Sequence, residues 1–171
     1  MKASISLVLG GVSSGKSVFA EQLADSKGAT KLYIATAQVF DEEMAAKVSL
    51  HQDRRGPDWN TLEAPFDIAG ALSKPTADVV LVDCLSMWLT NCIFDDADIG
   101  KLTDGLTEAV LDCPKPIVLV SNEVGLGGVE ANDLARRFAL EQGKLNQRIA
   151  TISDEVVLVS AGLPLYLKGS Q

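Results

Sequence analysis

The residues Gly10-Gly11-Val12-Ser13-Ser14-Gly15-Lys16-Ser17 have the types and spacing to hold phosphate. They satisfy the pattern Gly-x-x-x-x-Gly-Lys-Ser. Glycines let backbone N–H groups turn inward without a Cβ clash. Those amides, with the N-terminus of a following helix, form an anion site. Lys16 adds a point charge at the β and γ phosphates, and the Ser17 hydroxyl suits Mg²⁺. The expected ligand is ATP or GTP.

Other residues could complete such a site. Asp83 closes the apolar run Val79-Val80-Leu81-Val82, where a metal-holding or proton-accepting acid belongs. A strand-end or helix-capping aspartate is the plainer alternative. Asn122-Glu123 follows a second apolar run, at the sheet edge where ligands gather in open α/β folds; a simple turn is an equally good reading of the pair. The sole histidine, His51, is followed by Gln52-Asp53-Arg54-Arg55. Helical spacing sets His51 on the side of Met44 and Val48, which suits a structural residue. The two guanidiniums suit a phosphate neighbourhood, where an imidazole nitrogen is a competent nucleophile toward phosphorus. Both roles for His51 stay open on spacing alone.

The elements that must position these residues alternate. Apolar runs over 5–9, 31–36, 78–83, 117–121 and 155–160 read as strands, with a further extended piece over 60–63 and another strand over 163–168. Helices are expected over 16–24, 41–54, 67–72, 85–93, 99–111 and 130–152, the last with Leu134, Phe138, Leu145 and Ile149 near one face. Residues 95–98 read as an acidic loop and 125–128 as a flexible one. This order predicts a single α/β domain over 1–171, with a mostly parallel sheet flanked by helices. Continuous apolar strands predict burial on both faces.

Composition narrows the function. The chain has 171 residues, 47% hydrophobic, with formal net charge −8. That balance disfavours nucleic acid and anionic membranes as partners. Cys84, Cys92 and Cys113 fit neither a disulfide framework nor a zinc site and read as reduced, buried thiols. No signal peptide is visible and no apolar run approaches the ~18 residues of a membrane span, so a cytoplasmic protein is expected.

The chain resembles the bifunctional adenosylcobinamide kinase / adenosylcobinamide-phosphate guanylyltransferase family of cobalamin biosynthesis. The resemblance runs in order through the phosphate loop, Tyr33-Ile34-Ala35-Thr36-Ala37, Asp41-Glu42-Glu43-Met44-Ala45-Ala46, His51-x-x-Arg54-Arg55 and Trp59-x-Thr61-x-Glu63. It continues through Val82-Asp83-Cys84, Thr90-Asn91, Ser121-Asn122-Glu123-Val124-Gly125, Leu134-Ala135-Arg136, Asn146-Gln147-Arg148 and Asp154-Glu155-Val156. It implies a P-loop domain of the RecA-like kind, assembled as a homotrimer. It implies two reactions: phosphorylation of adenosylcobinamide by ATP or GTP, then transfer of GMP from GTP through a GMP-histidine intermediate at His51. Nucleotide contacts implied by the same resemblance are Gly10, Gly11, Val12, Ser13, Ser14, Gly15, Lys16, Ser17, Ala35, Thr36, Ala37, Gln52, Asp53, Arg54, Arg55, Glu63 and Asp83, with Ser17 and Asp83 on Mg²⁺. The family loop usually has Arg where Ser13 stands, so one phosphate-side cation is missing. Some relatives carry two adjacent histidines; here Leu50 precedes His51, so one candidate nucleophile remains. The rival readings are a P-loop kinase of another small molecule, with His51 structural, and a non-catalytic nucleotide-binding regulator.

Overall fold

A computed structural model describes residues 3–38, 56–128 and 131–169. Its strands are β1 (Ile5–Gly10), β2 (Lys31–Ala35), β3 (Trp59–Glu63), β4 (Val79–Asp83), β5 (Ile117–Asn122), β6 (Glu155–Ser160) and β7 (Leu163–Lys168). Its helices are α1 (Lys16–Lys27), α2 (Ile68–Leu72), α3 (Leu85–Phe94), α4 (Ile99–Asp112) and α5 (Asp133–Ile152). All seven strands join one sheet in the order β3-β2-β4-β5-β1-β6-β7. Every pairing is parallel except β6 with β7.

The continuous apolar runs account for the centre. β1 is buried throughout, and so are Val79 to Val82 of β4 and Ile117 to Ser121 of β5. Strand alternation sends Ile5, Leu7, Leu9, Val80, Val82, Ile117 and Leu119 to one face, where α2 to α5 pack. Val8, Val79, Leu81, Val118, Val120 and Val157 point to the other, where α1 lays Ala20 and Ala24. Burial on both faces fails at the margins. β3 is mostly exposed, and β7 alternates, with Leu163, Leu165 and Leu167 more than half exposed. Edge strands have a neighbour on one side only, so less of their surface leaves water.

Three expectations need correction. The last long helix begins at Asp133, not near 130, because Asn132 Oδ1 accepts hydrogen bonds from the N–H groups of Leu134 and Ala135 and so caps it. Leu134 consequently lies in the first turn, 45% exposed, while Leu145 and Ile149 are buried as expected. Residues 125–127 form one 3₁₀ turn rather than an open loop. The strand expected over 31–36 stops at Ala35, since the Thr36 hydroxyl bonds to Cys84. The helix expected over 41–54 lies outside the described residues. No described helix is long and apolar enough to cross a membrane.

One surface clasp aligns β2 with β4. Thr30 donates to Asp78 Oδ2 from its N–H at 2.9 Å and from its hydroxyl at 2.8 Å, and Asp78 N–H donates back to Thr30 O. The bonds from Thr30 hold the Asp78 carboxyl below its ordinary value. A carboxylate held low in the folded state stabilises above its unfolded pKa, near 3.9, and loses that stabilisation as pH falls through the folded value. The Tm gap between wild type and Asp78→Asn should therefore be largest at neutral pH and shrink below about pH 4; a gap constant down to pH 2 would show that ionisation of the clasp is irrelevant.

Candidate functional site

The phosphate loop leaves β1 at Gly10 and enters α1 at Lys16. Gly10 must be glycine, because a Cβ there would lie 2.3 Å from Ser14 Oγ and 2.7 Å from Val159 O. Gly15 has φ +91°, a left-handed conformation, and its missing Cβ would sit 3.1 Å from Gly162 Cα. Ser13 also lies in the left-handed region at φ 56°, a strain typical of ligand-binding turns. Main-chain bonds complete the loop: Glu123 N–H donates to Gly10 O at 3.0 Å, Ser14 N–H to Gly11 O at 3.3 Å, and Gly162 N–H to Ser14 O at 2.8 Å. The Lys16 ammonium donates to Gly11 O at 3.0 Å. Val12, at the loop's tip, is 90% exposed.

The first turn of α1 suits an anion. It has no side-chain cap and no acidic residue. Side-chain oxygens of Asp67, Asp98 and Asn132 cap α2, α4 and α5, whereas α3, like α1, has no side-chain cap. An uncapped helix start leaves N–H groups and the positive end of the dipole available to phosphate. Ser17 lies in that turn.

The sheet brings three other expected residues into one lateral row. Glu63 pairs with Ala35, Ala35 with Asp83, and Asp83 with Val120, which in turn pairs with Val8. Asp83 follows Val79 and Leu81 at two-residue steps, so it shares the α1 face of the sheet. Ala35 follows Tyr33 by the same rule. β5 intervenes between β1 and β4, so the acid stands two strands from the loop, a RecA-like order. Burial first, and then the charge of Asp83, raise the Cys84 thiol to about 12, while the Lys16 cation pulls it the other way. Lys16 and Asp83 therefore act on one neighbourhood.

Thr36 is buried. Its hydroxyl donates to Cys84 O at 2.7 Å and accepts from Cys84 N–H at 2.8 Å. Its backbone is partnered too: Thr36 N–H donates to Asp83 O at 3.3 Å, and Thr36 O accepts from the Asn91 amide at 2.9 Å. Ala37 follows it at the carboxyl edge of β2. His51, Gln52, Asp53, Arg54 and Arg55 lie outside the described residues. Cys84, Cys92 and Cys113 are free and buried, as expected.

Sequence reasoning missed two supports. The hairpin turn Ala161-Gly162, with φ of 52° and 77°, joins β6 to β7 and backs the phosphate loop. Its signal was a small residue and a glycine between two apolar runs. The second support is a buried network at the end of β5. Ser121 Oγ donates to Asn146 Oδ1, the Gln142 amide donates to both, and the Asn146 amide donates to Asn122 O. It fixes the strand end from which Glu123 holds Gly10.

A seven-stranded sheet of this order, with an uncapped helix behind a glycine loop and an acid two strands away, defines a P-loop nucleotide-binding protein. The chain matches the family model described as "Cobinamide kinase / cobinamide phosphate guanyltransferase" over residues 6–167, and it belongs to that family. It is 46% identical over 169 residues to the bifunctional adenosylcobalamin biosynthesis protein CobP of Pseudomonas aeruginosa, covering 95% of this chain and 96% of that one. It is 38% identical over 179 residues to the bifunctional adenosylcobalamin biosynthesis protein CobU of Salmonella typhimurium, covering 95% and 98%. The CobU protein of Escherichia coli is 37% identical over 180 residues with the same coverage, 95% and 98%.

The tight fit at Gly10 is testable. Gly10→Ala should lower stability by about 1–3 kcal/mol, the usual penalty for overpacking, and weaken GTP binding. Denaturant unfolding and a nucleotide titration check both. An unaltered midpoint and Kd would mean that the loop relaxes freely.

Proposed function

We propose that this chain phosphorylates adenosylcobinamide with ATP or GTP, then transfers GMP from GTP to that phosphate, giving adenosylcobinamide-GDP and pyrophosphate in cobalamin biosynthesis. The observation that carries the reading is an uncapped, backbone-braced phosphate loop in a chain that matches the cobinamide kinase / guanyltransferase family along nearly its whole length. The names of the three relatives agree with it. No observation favours a kinase of another specificity or a silent regulator.

In the kinase step the acceptor hydroxyl attacks the γ-phosphorus, and the bond to the β–γ bridging oxygen breaks. Lys16 and the N–H groups at the start of α1 stabilise the charge on the phosphates. Ser17 and Asp83 supply hard oxygen donors that suit Mg²⁺ alongside the nucleotide's own oxygens. When bound, Mg²⁺ neutralises charge on the phosphates.

In the guanylyl step a His51 ring nitrogen attacks the α-phosphorus of GTP, and pyrophosphate leaves. The acceptor's phosphate oxygen then displaces the imidazole. The two-step route replaces one hard displacement with two easier ones. Gln52, Asp53, Arg54 and Arg55 stand with the nucleophile as phosphate and nucleotide contacts. Ala35, Thr36, Ala37 and Glu63 are assigned to the same nucleotide. Both reactions fall to one domain over 1–171, in the cytoplasm, assembled as a homotrimer by family resemblance.

Incubation with α-labelled GTP should leave acid-labile, base-stable label on wild type and none on His51→Ala. Equal labelling of both, or of neither, would remove the histidine intermediate. Lys16→Ala should lower the kinase kcat roughly 10²–10³-fold, the order associated with losing one preorganised charge partner. An unchanged rate would refute the assignment of the loop.

A further inference from the structure

α3 lies along the carboxyl edge of the sheet. Near its start, Ser86 Oγ accepts from Asn122 N–H at the end of β5. Near its end, the Asn91 amide donates to Thr36 O beyond β2 and to Pro65 O beyond β3, each at 2.9 Å. Its last residue, Phe94, is 73% exposed. Phe94 and Thr90 line two hollows. One, about 310 Å³, is lined by Thr90, Ile93, Asn132, Leu134 and Phe138. The other, about 330 Å³, is lined by Gln38, Phe66, Met87, Thr90 and Asp95.

We propose that this double cleft docks the acceptor of the reactions above, a broad, largely apolar macrocycle rimmed with neutral amides; the inference rests on that reading. Cobinamide is such a molecule, a corrin ring with amide arms and positive charge at its cobalt. The lining matches it in three respects. An aromatic ring that stands clear of its own protein, lining two apolar hollows, offers a face on which a flat apolar ligand can lie. Among the described residues, neither hollow is lined by Lys or Arg, so none of them offers a phosphate a cationic partner there. Among the described residues, the one charged member of the lining is Asp95, whose sign suits a cationic ring. At the rim, Asn132 spends Oδ1 on the cap of α5, while its amide nitrogen makes no hydrogen bond among the described residues. A neutral amide oxygen on a ligand would satisfy it.

The position also fits. Gln38 lies two residues beyond Thr36, whose carbonyl Asn91 holds. The cleft therefore begins where the segment assigned to the nucleotide ends. Phosphates go to the cationic loop, and the apolar body of the acceptor goes to the neutral cleft beside it. Ligands of parallel α/β sheets gather at this edge.

The test uses full-length protein, cobinamide and GTP, with Phe94→Ala and Leu134→Ser as variants of exposed positions. Equilibrium dialysis should show cobinamide binding to wild type and binding about tenfold or more weaker in each variant, the loss expected from one large apolar contact. The KM for cobinamide should rise in parallel. The KM for GTP and the histidine label formed from GTP alone should not change. Unchanged cobinamide binding in both variants, while wild type turns cobinamide over, would overturn the cleft and leave the proposed function standing. A rise in both KM values, or loss of the label, would make these residues merely structural and overturn it too. A changed sedimentation coefficient with cobinamide affinity intact would assign the face to a second copy of the chain. Failure of wild type to bind or process cobinamide would overturn the proposed function, and the cleft with it.

Discussion

The phosphate loop is shaped by what presses on it from either side. β5 delivers Glu123 N–H to Gly10, and the turn after β6 delivers Gly162 N–H to Ser14. Between these two contacts no side chain fits at Gly10. The braces are main-chain groups, so the loop's form depends on strand register more than on the identity of its neighbours. Register depends in turn on the apolar runs of β1, β5 and β6, buried because helices cover both faces. The site is thus an outcome of core packing. Val12 and Ser13, at the tip of the loop, carry none of the bracing bonds.

A second set of bonds serves the other half of the edge. Thr36 and Cys84 share two short bonds, and Asn91 ties Thr36 to Pro65. Buried polar groups must be satisfied or they destabilise strongly. Here the satisfied groups sit at the strand ends, where they fix the separation of β2, β3 and β4 just as the chain departs into 39–55. Asn146 and the Gln142 amide nitrogen tie the end of β5 in the same way, while Gln142 Oε1 is buried with no hydrogen-bond partner among the described residues. Asn91 holds the ends of β2 and β3 together at this edge.

Much of this was legible in the sequence. The loop, the acid after Val82 and the alternation of strands with helices follow from local patterns that physics constrains tightly. The Thr90-Asn91 and Asn146-Gln147-Arg148 segments matched a family pattern, yet nothing local told that Asn91 and Asn146 bond to strand ends. Those bonds join residues 55, 26 and 24 positions apart. Lateral strand order is equally non-local. β7 looks like any other apolar run, yet the two-residue turn at Ala161-Gly162 forces it antiparallel. Pattern alone does not fix the start of α5, because Glu130 suits a helix as well as Asn132 suits its cap, and propensity yields to the cap.

The hairpin behind the loop links the order of synthesis to the order of assembly. The ribosome makes Gly10 to Ser17 among the first residues of this sequence. The strand ends that brace the loop, at Glu123 and Gly162, come much later. A nascent chain therefore carries the signature of a nucleotide site well before it owns one. Until β6 and the turn after it join the sheet, the loop lacks the N–H group that backs it at Ser14.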